Sequence, residues 1–188
     1  MAAIDLTTLA NVKQWLNIQT TTDDLLLTRL ITASSGFIQA WLNRSLISQQ
    51  YVETVNGDDT LKRSFANYPV TAVTSVYIDG QAIAPAPVAT APNVARSGYA
   101  FDATMLYLLS YAFNRGFLNV VIAYTAGYTV IPAEIEQACI QLIGLRYNER
   151  SRIGQVSKSL GGEVVAFSQK DMSADILTIL NNYKKVWY

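Results

Sequence analysis

Histidine, reactive cysteine, converging carboxylates and glycine-rich phosphate loops are the usual carriers of chemistry, and this sequence is poor in all of them. It has no histidine, which removes the commonest general base and the commonest metal ligand together. Cys139 is its single cysteine, so neither an intrachain disulfide nor a thiolate zinc site can form. Asp23-Asp24 precede an apolar helical run. Adjacent helical side chains point about 100° apart, so capping suits this pair better than a shared proton or metal. Asp58-Asp59 follow Asn56-Gly57, where acids are ordinary turn residues. Glu134 and Glu136 fall in the first turn of a predicted helix and complement its positive end. None of these pairs has the further polar partner that a catalytic constellation needs. Cys139, between Ile135 and Ile143, reads as a small core hydrophobe with no base to activate it. Gly161-Gly162 lacks the spacing and the lysine of a phosphate loop. The expectation is a protein that is not an enzyme, with no catalytic residue, no cofactor and no metal.

Two segments are better suited to contacts. Arg146, Arg150, Arg152 and Lys158 cluster with only Glu149 opposing them. In one isolated chain they read as a solvated helix end whose cations complement the C-terminal dipole. Repeated around a ring, the same cations would give a sequence-independent, salt-sensitive contact with phosphates. The C-terminal NNYKKVWY combines two lysines with three aromatics. The apolar side of its helix serves equally to close a core or to dock on a partner, since aromatics are enriched at interfaces.

The elements that must position these groups follow from periodicity. Residues 7–18 predict a short helix capped by Thr7 or Thr8, with Leu9, Val12 and Leu16 on one face. Asp23 or Asp24 starts a second helix to about Asn43, with an apolar stripe of Leu26, Leu30, Ala33, Phe37, Ile38 and Trp41. From residue 49 the period becomes two. QYVETVNGDDTLKRSF predicts a hairpin turning at Asn56-Gly57, and a second turn falls at Asp79-Gly80. Residues 84–98 form a Pro-rich loop or sheet-edge excursion, with Pro85, Pro87 and Pro92 unable to donate to a ladder. Strands return at 105–111 and 118–128. Pro132 opens a helix whose buried face is Ile135, Cys139, Leu142, Ile143 and Tyr147. Residues 154–172 read as a flexible loop or loose hairpin, and a last helix spans about 173–187. The fold class is therefore α+β: a helical bundle of an N-terminal pair and two C-terminal helices, with an inserted antiparallel β segment. The segmentation is 1–48, 49–130 and 131–188, as one integrated domain.

Of the 188 residues, 51% are hydrophobic and 15% charged, which supplies a core and carries no signature of disorder. Fourteen basic residues balance fourteen acidic ones. That balance argues against a dedicated nucleic-acid binder and lowers the charge barrier to self-association. The N-terminal MAAIDLTTLA has no basic start and no long apolar run, so neither a signal peptide nor a membrane partner is expected.

The order of these pieces resembles a known family. DLTTLANVKQWLNI with DDLLLTRLITASSGFIQAWLNR is similar to the opening helix pair of tailed-bacteriophage head–tail connector (adaptor) proteins. NVVIAYTAGYTVIPAEIEQACIQLIGLRYNER is similar to their closing strand and helix: a turn from Tyr124 to Tyr128, Pro132, Gln137-Ala138, and Tyr147 with Arg150. The resemblance implies a dodecameric virion ring that docks on the portal and extends the DNA channel, with a subunit that could be monomeric when free. It would support the next neck or tail-completion protein, touch genomic DNA non-specifically, and reside in the virion neck after assembly in the host cytoplasm. It further implies portal docking by Ile176, Leu180, Tyr183, Lys184, Lys185, Trp187 and Tyr188. Arg146, Arg150, Arg152 and Lys158 would then face the channel. The alternatives are another virion ring (a stopper or tail-completion protein) and, less favoured, a neck-associated cell-wall hydrolase.

Overall fold

The computed structural model describes residues 4–88, 95–150, 157–160, 163–166 and 172–184. The chain divides into two compact units, Met1–Ser45 with Val130–Tyr188, and Leu46–Thr129. The protein is α+β, with helices in the first unit and antiparallel sheets prominent in the second.

The first unit begins with α1 (Leu9–Leu16) and α2 (Asp24–Leu42). Thr8 caps α1, its Oγ1 accepting the Asn11 N–H at 3.2 Å. Both helices end on an asparagine in the left-handed conformation, Asn17 and Asn43, a common way to stop a helix without glycine. Asp23 holds the N-cap position of α2 but makes no side-chain cap bond. Asp24 instead pairs with Lys13 at 2.7 Å, tying α1 to α2.

α2 buries Leu27, Ile31, Ser34, Ser35, Ile38 and Leu42. Of the expected stripe, only Ile38 is on that face; Leu26 and Ala33 are exposed, and Leu30, Phe37 and Trp41 are half-buried. The phase shifts because two serines occupy the inner face, and hydrophobicity alone does not point serine inward. Each finds a partner there: Ser35 Oγ accepts the Leu6 N–H at 2.9 Å and Ser34 Oγ accepts from Arg146 at 3.1 Å. By length and composition alone α2, 19 residues with a mean hydropathy of 1.2 over an 18-residue window, could cross a bilayer, a test that the core helix of a soluble protein also passes.

The β unit contains β1 (Gln49–Gly57), β2 (Lys62–Ser64), β3 (Val70–Ile78), β4 (Gln81–Ile83), β5 (Gly98–Phe101), β6 (Met105–Leu109) and β7 (Gly116–Ala126). One sheet runs β1-β7-β3-β4 and the other β2-β6-β5. Their inner faces enclose a core that includes Phe65, Val76, Leu106, Phe113, Ile122 and Tyr124.

The turn at Asp79-Gly80 joins β3 to β4 as expected, with φ of 52° and 79° at the two residues. The hairpin expected at Asn56-Gly57 does not form. β1 pairs with β7, and β2 pairs with β6 in the other sheet. Gly57 is needed for close approach instead of for a turn: a Cβ there would lie 1.8 Å from the Asn114 carbonyl oxygen. Its N–H donates to Asn119 Oδ1 at 2.8 Å, and Asn56 Oδ1 accepts the Leu118 N–H at 2.7 Å. The start of the Pro-rich segment lies along β5, with Ala86 N–H donating to Tyr99 O and Tyr99 N–H to Ala84 O.

The chain returns to the helical unit in α3 (Ala133–Glu149), opened by Pro132. Ile135, Cys139, Leu142 and Ile143 are buried as their spacing predicts, while Tyr147 is half-buried. β8 (Ser157–Leu160) and β9 (Glu163–Ala166) form a two-stranded antiparallel sheet, and α4 (Ala174–Asn181) follows. Ser173 caps α4, and Ile176 and Leu180 anchor it.

Candidate interaction surfaces

At the C-terminal end of α3, Arg146 and Arg150 have different surroundings. The Arg146 guanidinium lies 4.7 Å from the Phe37 ring centroid and donates to Ser34, so it serves packing within the helical unit. Arg150 is exposed, its guanidinium 3.8 Å over the Tyr147 ring and donating to the Tyr147 carbonyl. Tyr147 is itself fixed by donating its hydroxyl to the Asp23 carboxylate, which raises the phenol's pKa. The result is a cation held at the surface by an aromatic platform. Arg152 lies outside the described residues; Lys158 is on β8, and its side chain is not among those described.

The C-terminal candidates also separate. Ile176 and Leu180 are 1% and 0% exposed, so their side chains hold α4 on the unit and present nothing outward. Tyr183 is half-buried and donates to Glu134 Oε2 at 3.1 Å. Lys184 is exposed, its ammonium 4.5 Å from the Trp41 ring centroid. Lys185, Trp187 and Tyr188 lie outside the described residues.

The carboxylates that could have formed a reactive pair each have structural partners. Glu136 Oε1 accepts from Thr7 at 3.0 Å and from Asn11 at 2.7 Å, linking α3 to the start of the chain. Asp58 is engaged by Thr60, whose hydroxyl lies at 2.6 Å and holds the carboxyl below its ordinary pKa. Asp59 accepts the Arg115 N–H at 2.8 Å. Among the described residues no group of three or more His, Cys, Asp or Glu is placed to hold a metal ion. Cys139 is fully buried, and desolvation pushes its thiol to about 11.

An open concavity of about 740 Å³ lies in the β unit, lined by residues including Leu61, Ile83, Leu108, Tyr111 and Asp79. Asp79 is satisfied there by Asn114 at 3.0 Å and Asn119 at 2.9 Å, which lower its pKa. The sequence reading missed other surface features. Leu25, Phe117, Val130 and Val52 are 89%, 82%, 81% and 72% exposed. Exposed apolar side chains placed singly are ordinary, whereas contiguous ones mark contacts. Alternation along β1 was the available signal for Val52, because Tyr51, Glu53 and Val55 point toward the core.

The described residues combine carboxylates engaged by structural partners with several exposed apolar side chains. The sequence model of the head completion proteins matches residues 5–186. The chain belongs to the head completion protein family. No curated protein matches the sequence. This head completion family member also shares its fold with chains from gene transfer agent particles. One is from the neck of an empty particle solved with C6 symmetry: TM-score 0.56, 16% identity, 100% of this chain and 95% of that one covered. Another is from the neck of a native particle with C12 symmetry: TM-score 0.55, 16% identity, coverage 100% and 97%. A third is from the virion of the native particle: TM-score 0.58, 16% identity, coverage 97% and 91%.

Proposed function

We propose that this head completion family member is a ring subunit of the neck of a tailed-phage-type virion, an adaptor that docks on the portal, extends the DNA channel and supports the next neck or tail protein. The observation that carries this reading is the family match over residues 5–186, joined to a fold shared along the whole chain with a protein of a C12-symmetric neck. Twelve copies are the corresponding ring. The protein acts by assembly and not by catalysis, in keeping with a structural family and with carboxylates engaged in packing.

Portal docking falls to the end of the C-terminal segment, Tyr183 and Lys184 with Lys185, Trp187 and Tyr188, while the buried Ile176 and Leu180 hold α4 in place. Arg150, held outward on Tyr147, is the best channel-facing candidate, with Arg152 and Lys158 beside it in sequence. One such cation per subunit, repeated around the ring, attracts passing phosphates without reading bases.

Light scattering on the purified protein, alone and mixed with portal rings, tests the reading. A portal complex heavier by about twelve subunits is the expected result, twelve being the copy number of a closed ring with that symmetry. Portal rings that gain no mass at any salt concentration would remove the adaptor assignment.

A further inference from the structure

β1 is an edge strand. β7 covers one side of it along Gln49–Gly57, and no strand covers the other among the described residues. Natural edges are commonly protected by lysine, proline, an inward charge or an early bulge. β1 has no lysine and no proline. Its outward residues Gln50, Val52 and Thr54 are exposed and uncharged. Its single charge, Glu53, points inward and is the one protective charge on the strand; the Tyr124 hydroxyl and the Ala66 N–H partner it on the core side. The bulge lies at the far end, between Val55 and Gly57, where Arg63 donates to the Asn56 carbonyl. Among the described residues no strand pairs with the outer edge of Gln49–Val55.

The same chain carries the converse feature. β8 and β9 pair with each other over four residues and join no other strand among the described residues. A lone two-stranded hairpin is marginal in water and gains stability when a third strand adds to it. We propose that the β8–β9 hairpin of one copy adds to the open edge of β1 in a neighbouring copy, joining the two-stranded and four-stranded sheets across the subunit boundary. Backbone hydrogen bonds supply this contact whatever the side chains are, as in other strand-addition interfaces. Pairing of β1 with β1 would use one edge twice and stop at two copies. A hairpin added to a different edge gives every copy one donor and one acceptor surface, which is what a closed ring needs. The inference rests on the ring reading above.

Chains carrying Val52→Cys alone and Ser159→Cys alone, assembled together on portal rings and treated with a short bis-maleimide, test it. Cys139 stays silent because it is buried and its thiol is pushed to about 11. The expected result is a crosslinked pair of one chain of each kind. The double variant should give a ladder of covalent multimers on a denaturing gel. In the unsubstituted protein, amide exchange at 49–55 and 157–166 should slow together on assembly. Rings of full mass with no ladder, tried also from Gln50 and Thr54, or with no slowing at these amides, overturn the proposal. A crosslink confined to single chains overturns it as well. Protein that adds no mass to portal rings defeats the ring reading instead, and this inference with it.

Discussion

Gly127 has a φ of 111°, and a Cβ there would lie 2.4 Å from the Ile47 carbonyl oxygen. Conformation and space therefore both select glycine, which gives a structural reason for the Tyr-Thr-Ala-Gly-Tyr motif. Tyr124 fills the β core, Ala126 is buried, Gly127 turns the chain, and Tyr128 N–H donates to Leu46 O at 2.7 Å. Gly127→Ala should destabilise the β unit by about 2 kcal/mol or more, from left-handed strain plus the clash. Urea titration of the variant measures this; an unchanged midpoint would show that the backbone at Ile47 yields freely. Asp102 gives a pH prediction. Backbone N–H donation from Thr104, the Tyr107 hydroxyl and the Met105 N–H lower its carboxyl from 3.8 to about 2. The folded value lies below the unfolded one, so its stabilisation is present above pH 3.8 and lost as pH falls toward 2. Carbon NMR of the carboxyl should titrate near 2, and Asp102→Asn should remove that part of the acid dependence.

At the scale of elements, α4 packs by its buried residues, and the docking proposed above falls to the residues that follow it. Leu180 is fully buried and Tyr183, three residues on, is half-buried against Glu134. Leu180→Ala should cost about 2–5 kcal/mol, the usual range for a buried leucine, and lower the melting temperature of the isolated subunit. Portal association measured well below that temperature should survive if Leu180 only packs. A loss of binding with no loss of stability would move Leu180 back to the interface. The two Asx-Gly dipeptides make the same point for strands. Asp79-Gly80 joins neighbours in one sheet, whereas Asn56-Gly57 leads into a segment that crosses to the other sheet. The dipeptide signals a tight backbone in both places, and the destination of the next strand decides whether a hairpin results.

At the scale of the whole molecule, net charge and exposure distribute its contacts. A chain with fourteen charges of each sign has no long-range field to repel its copies or to seek DNA. Its ring contacts are therefore expected to be short-range and apolar or backbone-made, and any DNA contact to depend on local cations such as Arg150. The portal docking proposed for the C-terminal residues gives a separable test. Removing residues 185–188 leaves Ile176 and Leu180 in place, so the subunit should melt unchanged while its mass gain on portal rings falls. Full mass gain after this truncation would place docking elsewhere.

The sequence by itself determined the fold class, the positions of most elements, the burial of Cys139 and the resemblance to a phage neck family. Those properties are local or compositional: period, capping residues, turn dipeptides, the absence of histidine. The inner face of α2, the partner of β1 and the inward turn of Arg146 were decided only by tertiary structure. Serine points inward when a neighbour supplies its hydrogen bond, as Leu6 and Arg146 do here. A strand chooses its partner by where distant segments pack, and Val120–Ala126 lies more than sixty residues from the strand it completes. Arg150 and Arg146 carry the same charge on the same helix, and only the ring beneath each one and the hydroxyl beside Arg146 assign one to the surface and the other to packing.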